Sequence, residues 1–368
     1  MREISPAGRP VIVVVPVKVS RLSTHRFTAF EDAAFEFVAG VNVFIGENGT
    51  GKSHVLKLLY ALSEAVRRHT SGEGLDGLSG TRDLNELIAA MLTSVFLPDE
   101  LGRLVRRGKG RRSAEVELTW DTGSVEFKLS SLGRVTSKIT GDVTGLARSV
   151  FLPTREVLSI FPGFVEIWLR RESTFDRTYY DLCLALGLPP LRGARDATRA
   201  ELLKPIEQAL GANVEVNNGR FYLRHAVGGN METPLVAEGH RKLAMIAYLI
   251  INGSLTRNGF LFWDEPEASM NPKLSMLTRD IVFGMGKLGV QSFVTTHDYV
   301  LASELSLTAQ PPEPEGLIRF FALARPTNEA VVVESAATLT DLETNPILDA
   351  FVDLNGRERA AMMARPEK

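Results

Sequence analysis

The two ends of the chain alternate between strand patterns and helix patterns. Near the N-terminus, β-branched and apolar residues predict strands over 11–20 and 34–45, and apolar residues at helical spacing predict a helix over His54–Arg67. In the C-terminal half the alternation resumes as helix, strand, helix and strand, over 240–251, 259–263, 272–286 and 290–295. Strands that alternate with helices indicate an α/β fold with a mainly parallel core sheet.

The middle of the chain has a different pattern. Three short segments alternate between apolar and polar residues, which predicts an antiparallel β-lobe, at 114–120, 124–129 and 135–139. A second amphipathic helix is predicted over Leu84–Phe96, after a Gly/Ser-rich loop at 70–80. Residues 155–210 favour helices, and Asn217-Asn218-Gly219 marks a hairpin turn. We therefore expect a β-lobe and a helical lobe inserted into the parallel core.

These patterns divide the sequence into four segments. The parallel core is split between 1–61 and 232–305, and the inserted lobes occupy 62–231. The remaining segment, 306–368, is expected to form a tail of two strands and a terminal helix. The chain is long enough for each part to bury a core of its own.

The composition is that of an ordinary globular protein and limits the classes of function. The net charge is only −2, so the overall field does not favour binding of polyanions. The single cysteine, Cys183, excludes an internal disulfide framework and suits a reducing compartment. The apolar runs are too short for a membrane span and no signal peptide is expected, so we predict a cytoplasmic protein.

A glycine-rich segment gives the strongest chemical signal. Residues Gly46–Ser53 match the pattern G-x-x-x-x-G-K-S/T between a predicted strand and a predicted helix. In this pattern the glycines turn backbone N–H groups toward phosphates, and the helix N-terminus adds the positive end of its dipole. Lys52 would reach the β- and γ-phosphates, and Ser53 would coordinate Mg²⁺. The predicted nucleotide-binding residues are Gly46, Asn48, Gly49, Thr50, Gly51, Lys52 and Ser53.

Two carboxylates follow a buried strand pattern at Phe260–Trp263. Asp264, at the strand tip, is suited to hold Mg²⁺, and Glu265 is suited to orient or deprotonate an attacking water. His297 follows the strand predicted at 290–295 and could donate a hydrogen bond to charge that develops on a phosphate. We therefore predict Glu265 and His297 as catalytic residues.

Together these segments resemble the ABC-type ATPases in the order Walker A, signature, Walker B and switch histidine. The form Asp264-Glu265-Pro266-Glu267 looks most like the soluble branch of SMC-like repair ATPases and OLD-like phage-defence ATPases, within the AAA family. The resemblance implies a P-loop NTPase fold of the ABC-ATPase type, with an antiparallel β-lobe and an inserted helical lobe. It also implies binding and hydrolysis of ATP with Mg²⁺, as an ATPase.

The resemblance places Ala237-Glu238-Gly239-His240 at the signature and 268–271 at the D-loop. Glu238, Gly239 and His240 would then contact ATP held by the other subunit of a head-to-tail homodimer. Ala237 replaces the signature serine, which removes a hydroxyl contact to the γ-phosphate. No glutamine loop is evident, and the strand-like 149–153 leading to Arg155 is the candidate for that region.

Three biological roles are compatible with such an ATPase. The favoured role is a switch that regulates a separate effector, such as a nuclease, in a bacterial defence or DNA-repair complex. The segment after His297 has no acidic cluster with the pattern of metal ligands, so a nuclease would be a partner chain. The second role is a DNA clamp that uses the basic run Arg103–Arg112, which could equally be a solvated loop. A transporter's nucleotide-binding subunit is disfavoured by the degenerate signature and the large insertion.

Overall fold

The computed structural model describes residues 17–75, 83–108, 110–192, 197–255, 259–309, 316–326 and 329–363. The strands are β1 (Val19–His25), β2 (Asp32–Glu36), β3 (Val41–Gly46), β4 (Ser113–Trp120), β5 (Gly123–Ser130), β6 (Val135–Gly141), β7 (Ser149–Leu152), β8 (Ala212–Asn217), β9 (Arg220–His225), β10 (Gly229–Glu232), β11 (Phe260–Asp264), β12 (Gln291–Thr296), β13 (Ile318–Ala324) and β14 (Val332–Ala336). The helices are α1 (Lys52–Ser71), α2 (Leu84–Phe96), α3 (Phe164–Leu169), α4 (Arg177–Leu186), α5 (Ala197–Leu210), α6 (Glu238–Ile251), α7 (Ser275–Lys287), α8 (Tyr299–Thr308) and α9 (Pro346–Met363).

A six-stranded sheet forms the core, with the strand order β14-β13-β3-β12-β11-β7. Its neighbouring strands are parallel except for β13 and β14, so the predicted mainly parallel core is confirmed. Because the parallel strands run in one direction, their carboxyl ends meet at one edge of the sheet. Open α/β sheets bind their ligands at this edge.

The predicted antiparallel β-lobe is confirmed as a five-stranded sheet with the order β2-β1-β4-β5-β6. The single strand predicted over 34–45 is wrong, since β2 belongs to this lobe and β3 to the core. Gly40 lies at the break, where a Cβ atom would stand 2.1 Å from the carbonyl oxygen of Leu317. The Asn42 side chain also bonds to both backbone groups of Val38, which holds the chain in a turn.

The helical lobe and the hairpin are also confirmed. Helices α3, α4 and α5 fill the region predicted to be helical, and β8 and β9 pair across Asn218-Gly219. The third strand of this small sheet, β10, has no apolar pattern because all four of its residues are exposed. Cys183 lies buried on α4, in the core.

Two sequence predictions lie partly outside the described residues. Of the strand predicted over 11–20, residues 11–16 are outside, and β1 begins only at Val19. Of the loop predicted over 70–80, residues 76–80 are outside, and α1 continues to Ser71. Among the helices that the structure describes, none has the length and apolar character needed to cross a membrane.

The sheets cross the four sequence segments. Strands β1 and β2 come from 1–61 but pair within the β-lobe, whereas β7 comes from 62–231 and joins the core. Strands β13 and β14, from the predicted tail, extend the core beside β3. Hydrogen-bonded sheets therefore span the boundaries of the four segments. The division into domains stays a prediction.

Apolar layers cover both faces of the core sheet. Residues of one parity, such as Phe44 and Phe293, pack toward the β-lobe and α1, whereas Val43 and Val294 pack toward α4 to α8. Phenylalanine rings dominate the layer under the β-lobe, and the Phe44 and Phe321 rings stack with centroids 5.1 Å apart. The edge that carries the strand termini is thereby fixed between two packed layers.

A buried glutamine joins the core sheet to the β-lobe. The Gln291 side chain on β12 is fully buried, and its Oε1 accepts a hydrogen bond from the Val19 N–H at 2.8 Å. Its Nε2 donates to the carbonyl oxygens of Val19 and Val38, at 2.7 and 2.8 Å. One side chain thus supplies hydrogen bonds that the backbone cannot make where the two sheets meet.

We expect Gln291→Met to lower the free energy of unfolding by about 2 kcal/mol, because the buried Val19 N–H would lose its partner. Urea unfolding followed by circular dichroism would show a lower midpoint. Gln208→Met, on an exposed position of α5, is the matched control and should change the free energy by less than about 0.5 kcal/mol. Equal midpoints for the two variants would contradict this role of Gln291.

Candidate functional site

The glycine-rich segment forms a phosphate loop (Gly46–Ser53) between β3 and α1. Gly46, Gly49 and Gly51 have φ angles of 147°, 79° and 101°, a region of backbone conformation that residues with a side chain rarely adopt. A Cβ atom on Gly46 would also stand 2.3 Å from the carbonyl oxygen of Leu323. No side chain caps the N-terminus of α1, so its first N–H groups are suited to bind an anion.

Lys52 lies inside this loop. Its side chain is buried, and Nζ donates to the carbonyl oxygens of Gly46 and Glu47 at 2.7 and 2.9 Å. Burial lowers the pKa of the Lys52 ammonium, and the nearby carboxylates of Glu265 and Asp264 oppose this shift. The Lys52 ammonium group therefore lies within the loop, close to the two carboxylates at the end of β11.

Two hydroxyl groups meet on one carboxylate oxygen. Ser53 Oγ, on the first turn of α1, donates to Asp264 Oδ1 at 2.9 Å, and Thr295 Oγ1 donates to the same atom at 2.6 Å. Thr154 Oγ1, beyond the end of β7, lies 3.5 Å from Asp264 Oδ2. Hydroxyl and carboxylate oxygens are ligands that Mg²⁺ prefers, so Ser53 and Asp264 fit the predicted ion.

Glu265 and His297 lie side by side at the same edge. Glu265 has a φ of 49°, and its N–H donates to Thr295 at the end of β12. A non-glycine residue in this left-handed region costs on the order of 1 kcal/mol and is typical of functional sites. His297 Nδ1 lies 3.3 Å from Glu265 Oε1, and its side chain is half exposed. The two predicted catalytic residues are therefore adjacent.

Strand register explains why these residues converge. Asp264 pairs with Thr295, and Thr296 pairs with Ile45, the residue before the phosphate loop. The ends of β3, β11 and β12 are therefore level with one another. The structure brings together the phosphate loop, Asp264, Glu265 and His297, while Asn48 and Gly49 lie exposed at the loop surface.

The predicted signature residues lie on a separate element, at the N-terminus of α6. Gly239 is buried, and a Cβ atom on it would stand 3.0 Å from the carbonyl oxygen of Ser269 in the predicted D-loop. Glu238 is half-buried, and His240 is exposed. Ala237 at the N-cap makes no side-chain hydrogen bond, so it leaves the first N–H groups of α6 uncapped.

Sequence reasoning missed three polar contributors at this site. After the strand-like segment 149–153 it is Thr154 that faces Asp264, whereas the predicted Arg155 is exposed. Thr295 and Glu267 lie within two residues of His297 and Glu265 along the sequence. This closeness in sequence is the only signal that indicates a place for them at the site. Phe27 and Phe30 are buried in the aromatic core, so neither ring is exposed to stack on a nucleotide base.

The basic run is partly used within the molecule. Arg103 pairs with Asp99, and Arg106 pairs with Glu31. Arg112 lies 3.7 Å from Glu31, and Lys109 is outside the described residues. Two exposed cations, Arg107 and Arg111, have no ion pair with any residue that the structure describes. The surface available to a polyanion is therefore narrower than the sequence run suggested.

Solved structures have a similar fold, although no protein-family model matches the sequence. The SMC head bound to the C-winged helix domain of ScpA is 12% identical, with a TM-score of 0.55 over 88% of this chain and 98% of that one. The SMC head domain from Thermotoga maritima is 13% identical, with a TM-score of 0.48 over 87% and 99%. The recombination mediator RecF-ATPrS is 14% identical, with a TM-score of 0.41 over 84% and 96%. On the first of these similarities, the chain has the fold of an SMC head, which confirms the predicted ABC-ATPase-type architecture.

Proposed function

We propose that the chain is an ABC-type ATPase that binds ATP with Mg²⁺, pairs with a second copy around ATP, and regulates a separate effector protein. The observation that carries the proposal is the convergence on Asp264, where hydroxyl groups of Ser53 and Thr295 meet beside Lys52 and Glu265. A phosphate-binding loop, a Mg²⁺-type ligand pair and a carboxylate base are the parts that phosphoryl transfer to water requires.

Each residue has a role that follows from its position. The N–H groups of the phosphate loop and the ammonium of Lys52 bind the β- and γ-phosphates, and Ser53 and Asp264 would hold Mg²⁺. Bound there, Mg²⁺ supplies positive charge to the phosphate oxygens. Glu265 orients the attacking water and accepts its proton, and His297 donates a hydrogen bond toward the γ-phosphate.

The proposed dimer is supported by a second uncapped helix terminus, that of α6. The uncapped start of α6, around Gly239, offers backbone N–H groups that suit a γ-phosphate. In a head-to-tail pair, ATP bound at Lys52 of one copy would meet Gly239 of the other copy. Because Ala237 has no hydroxyl group, the donors are the backbone N–H groups and His240. ATP then acts as a dimerisation ligand, and hydrolysis releases the pair.

Regulation of a separate effector is supported by the fold likeness. The SMC head that resembles this chain was solved with a domain of another protein, ScpA, bound to it. We propose that this chain likewise serves a partner, such as a nuclease, in a bacterial defence or DNA-repair complex. Such a switch is defined by a partner whose activity depends on whether this chain has ATP bound.

We expect Glu265→Gln to reduce hydrolysis by roughly 100-fold or more while leaving ATP binding intact, because it removes the proton acceptor and keeps the shape. With saturating ATP and Mg²⁺, light scattering should then give twice the mass of the chain. Lys52→Ala, which loses phosphate contacts, is the control and should stay monomeric. A Glu265→Gln protein that remains monomeric with ATP bound would overturn the proposed dimer.

A DNA clamp is the alternative that the exposed Arg107 and Arg111 favour. If the chain clamps DNA, duplex should stimulate ATP hydrolysis, and Arg107→Glu with Arg111→Glu should abolish the stimulation. The matched control reverses Lys204 and Arg220, exposed cations of α5 and β9, with the same change in net charge. Unchanged hydrolysis with DNA and no mobility shift at low salt would exclude this alternative.

A further inference from the structure

A buried carboxylate, that of Glu267, lies beside the proposed catalytic pair and has no part in the proposed hydrolysis. The Glu267 side chain is only 10% exposed. Its Oε1 accepts hydrogen bonds from Thr296 Oγ1 at 2.7 Å and from the His297 N–H at 3.1 Å. In the part of the chain that the structure describes, its other oxygen, Oε2, is buried without a hydrogen-bond partner.

Keeping such a group is costly. Burial raises the pKa of Glu267, with hydrogen bonds from its own backbone, Thr296 and His297 opposing the shift. A buried acceptor without a donor costs stability, and native structures retain few of them. A glutamine of the same shape could accept from Thr296 and His297 with less desolvation. The cost therefore indicates a function for the carboxylate beyond packing.

The turn that carries Glu267 is fixed from both sides. Glu265 N–H is bonded to Thr295 on β12, and the buried Lys242 of α6 donates from Nζ to the Ala268 carbonyl oxygen at 2.6 Å. Met270 N–H returns to the Glu267 carbonyl oxygen at 2.9 Å. The Glu267 side chain is thus presented to His297 by a backbone that is anchored to two core elements.

Glu267 faces the same nitrogen of His297 as Glu265 does. His297 Nδ1 lies 3.3 Å from Glu265 Oε1 and 3.6 Å from Glu267 Oε1. Carboxylates on one side of an imidazole favour the tautomer with its proton on Nδ1, and they fix the plane of the ring. The other ring nitrogen, Nε2, faces the substrate. In the form of the ring that carries a proton on each nitrogen, Nδ1–H donates to the carboxylates and Nε2–H is the donor left for the γ-phosphate.

We propose that Glu267 is a positioning residue that holds His297, by its backbone N–H and its Nδ1 side, in the orientation needed to meet the γ-phosphate. This inference rests on the proposed ATPase function. His297 then has two carboxylate neighbours with different roles. Glu265 serves the attacking water, and Glu267 serves the histidine.

A double-mutant cycle tests the proposal. Glu267→Ala should lower kcat by roughly 10- to 100-fold, the loss typical when a supporting partner of a functional group is removed, with little change in KM for ATP. In a His297→Ala background the same change should have no further effect on kcat, because the residue that Glu267 positions is already gone. Glu267→Gln keeps both hydrogen-bond acceptances and should fall between wild type and Glu267→Ala.

A second measurement reads the histidine directly and does not depend on turnover. Nitrogen-15 NMR of histidine-labelled protein, assigned with His297→Ala, should show the Nδ1–H tautomer of His297 in wild type and a mixture in Glu267→Ala. Asp298→Ala is the structural control, since Asp298 caps α8 in the same loop and accepts from the Leu301 N–H. It should lower thermal stability and leave the tautomer unchanged.

The outcomes separate this inference from the proposed function. Suppose that the wild-type chain hydrolyses ATP. If the kcat losses of Glu267→Ala and His297→Ala then multiply in the double variant, or if the His297 tautomer is unchanged in Glu267→Ala, the role of Glu267 alone is overturned. Wild-type hydrolysis no faster than that of Lys52→Ala would overturn the proposed ATPase and this inference with it. A kcat effect that disappears without His297, together with a shifted tautomer, would establish the positioning role.

Discussion

The arrangement of the site depends on one carboxylate, that of Asp264. Its Oδ1 receives hydroxyl groups from Ser53, at the start of α1, and from Thr295, at the end of β12. These contacts join the start of α1, the end of β11 and the end of β12 at one carboxylate oxygen. A charged acceptor with two hydroxyl donors is stronger than a neutral pair and fixes three elements at once. Lys52 precedes Ser53 in the chain and Glu265 follows Asp264, so the same contacts also place these two charged residues.

The surrounding fold keeps this edge in place. Phenylalanine rings fill the layer between the core sheet and the β-lobe, and Gln291 bridges their backbones. On the opposite face, α6 packs into the other apolar layer, and its Lys242 side chain donates to the turn that carries Glu267. The strained backbone of Glu265 and the buried carboxylate of Glu267 are therefore supported by packing on both faces. Stability elsewhere in the fold offsets their cost.

Much of this was predictable because the patterns are local. The phosphate loop, the strand before Asp264 and the alternating strands of the β-lobe each follow from a short stretch of sequence. The break between β2 and β3 was not predictable, since it depends on the close approach of Gly40 to Leu317. The burial of Phe27 and the internal pairing of Arg106 likewise depend on distant residues. Thr154 and Glu267 acquire their contacts only when strand ends from separate parts of the chain meet.

The most direct test of the role of Asp264 is the binding of ATP, measured by titration calorimetry with and without Mg²⁺. We expect one ATP per chain in the Glu265→Gln protein, with an affinity that rises when Mg²⁺ is present. Asp264→Asn should abolish the effect of Mg²⁺, because a neutral amide is a poorer ligand for the ion. Absence of ATP binding, or a response to Mg²⁺ that persists in Asp264→Asn, would contradict the central role of this carboxylate.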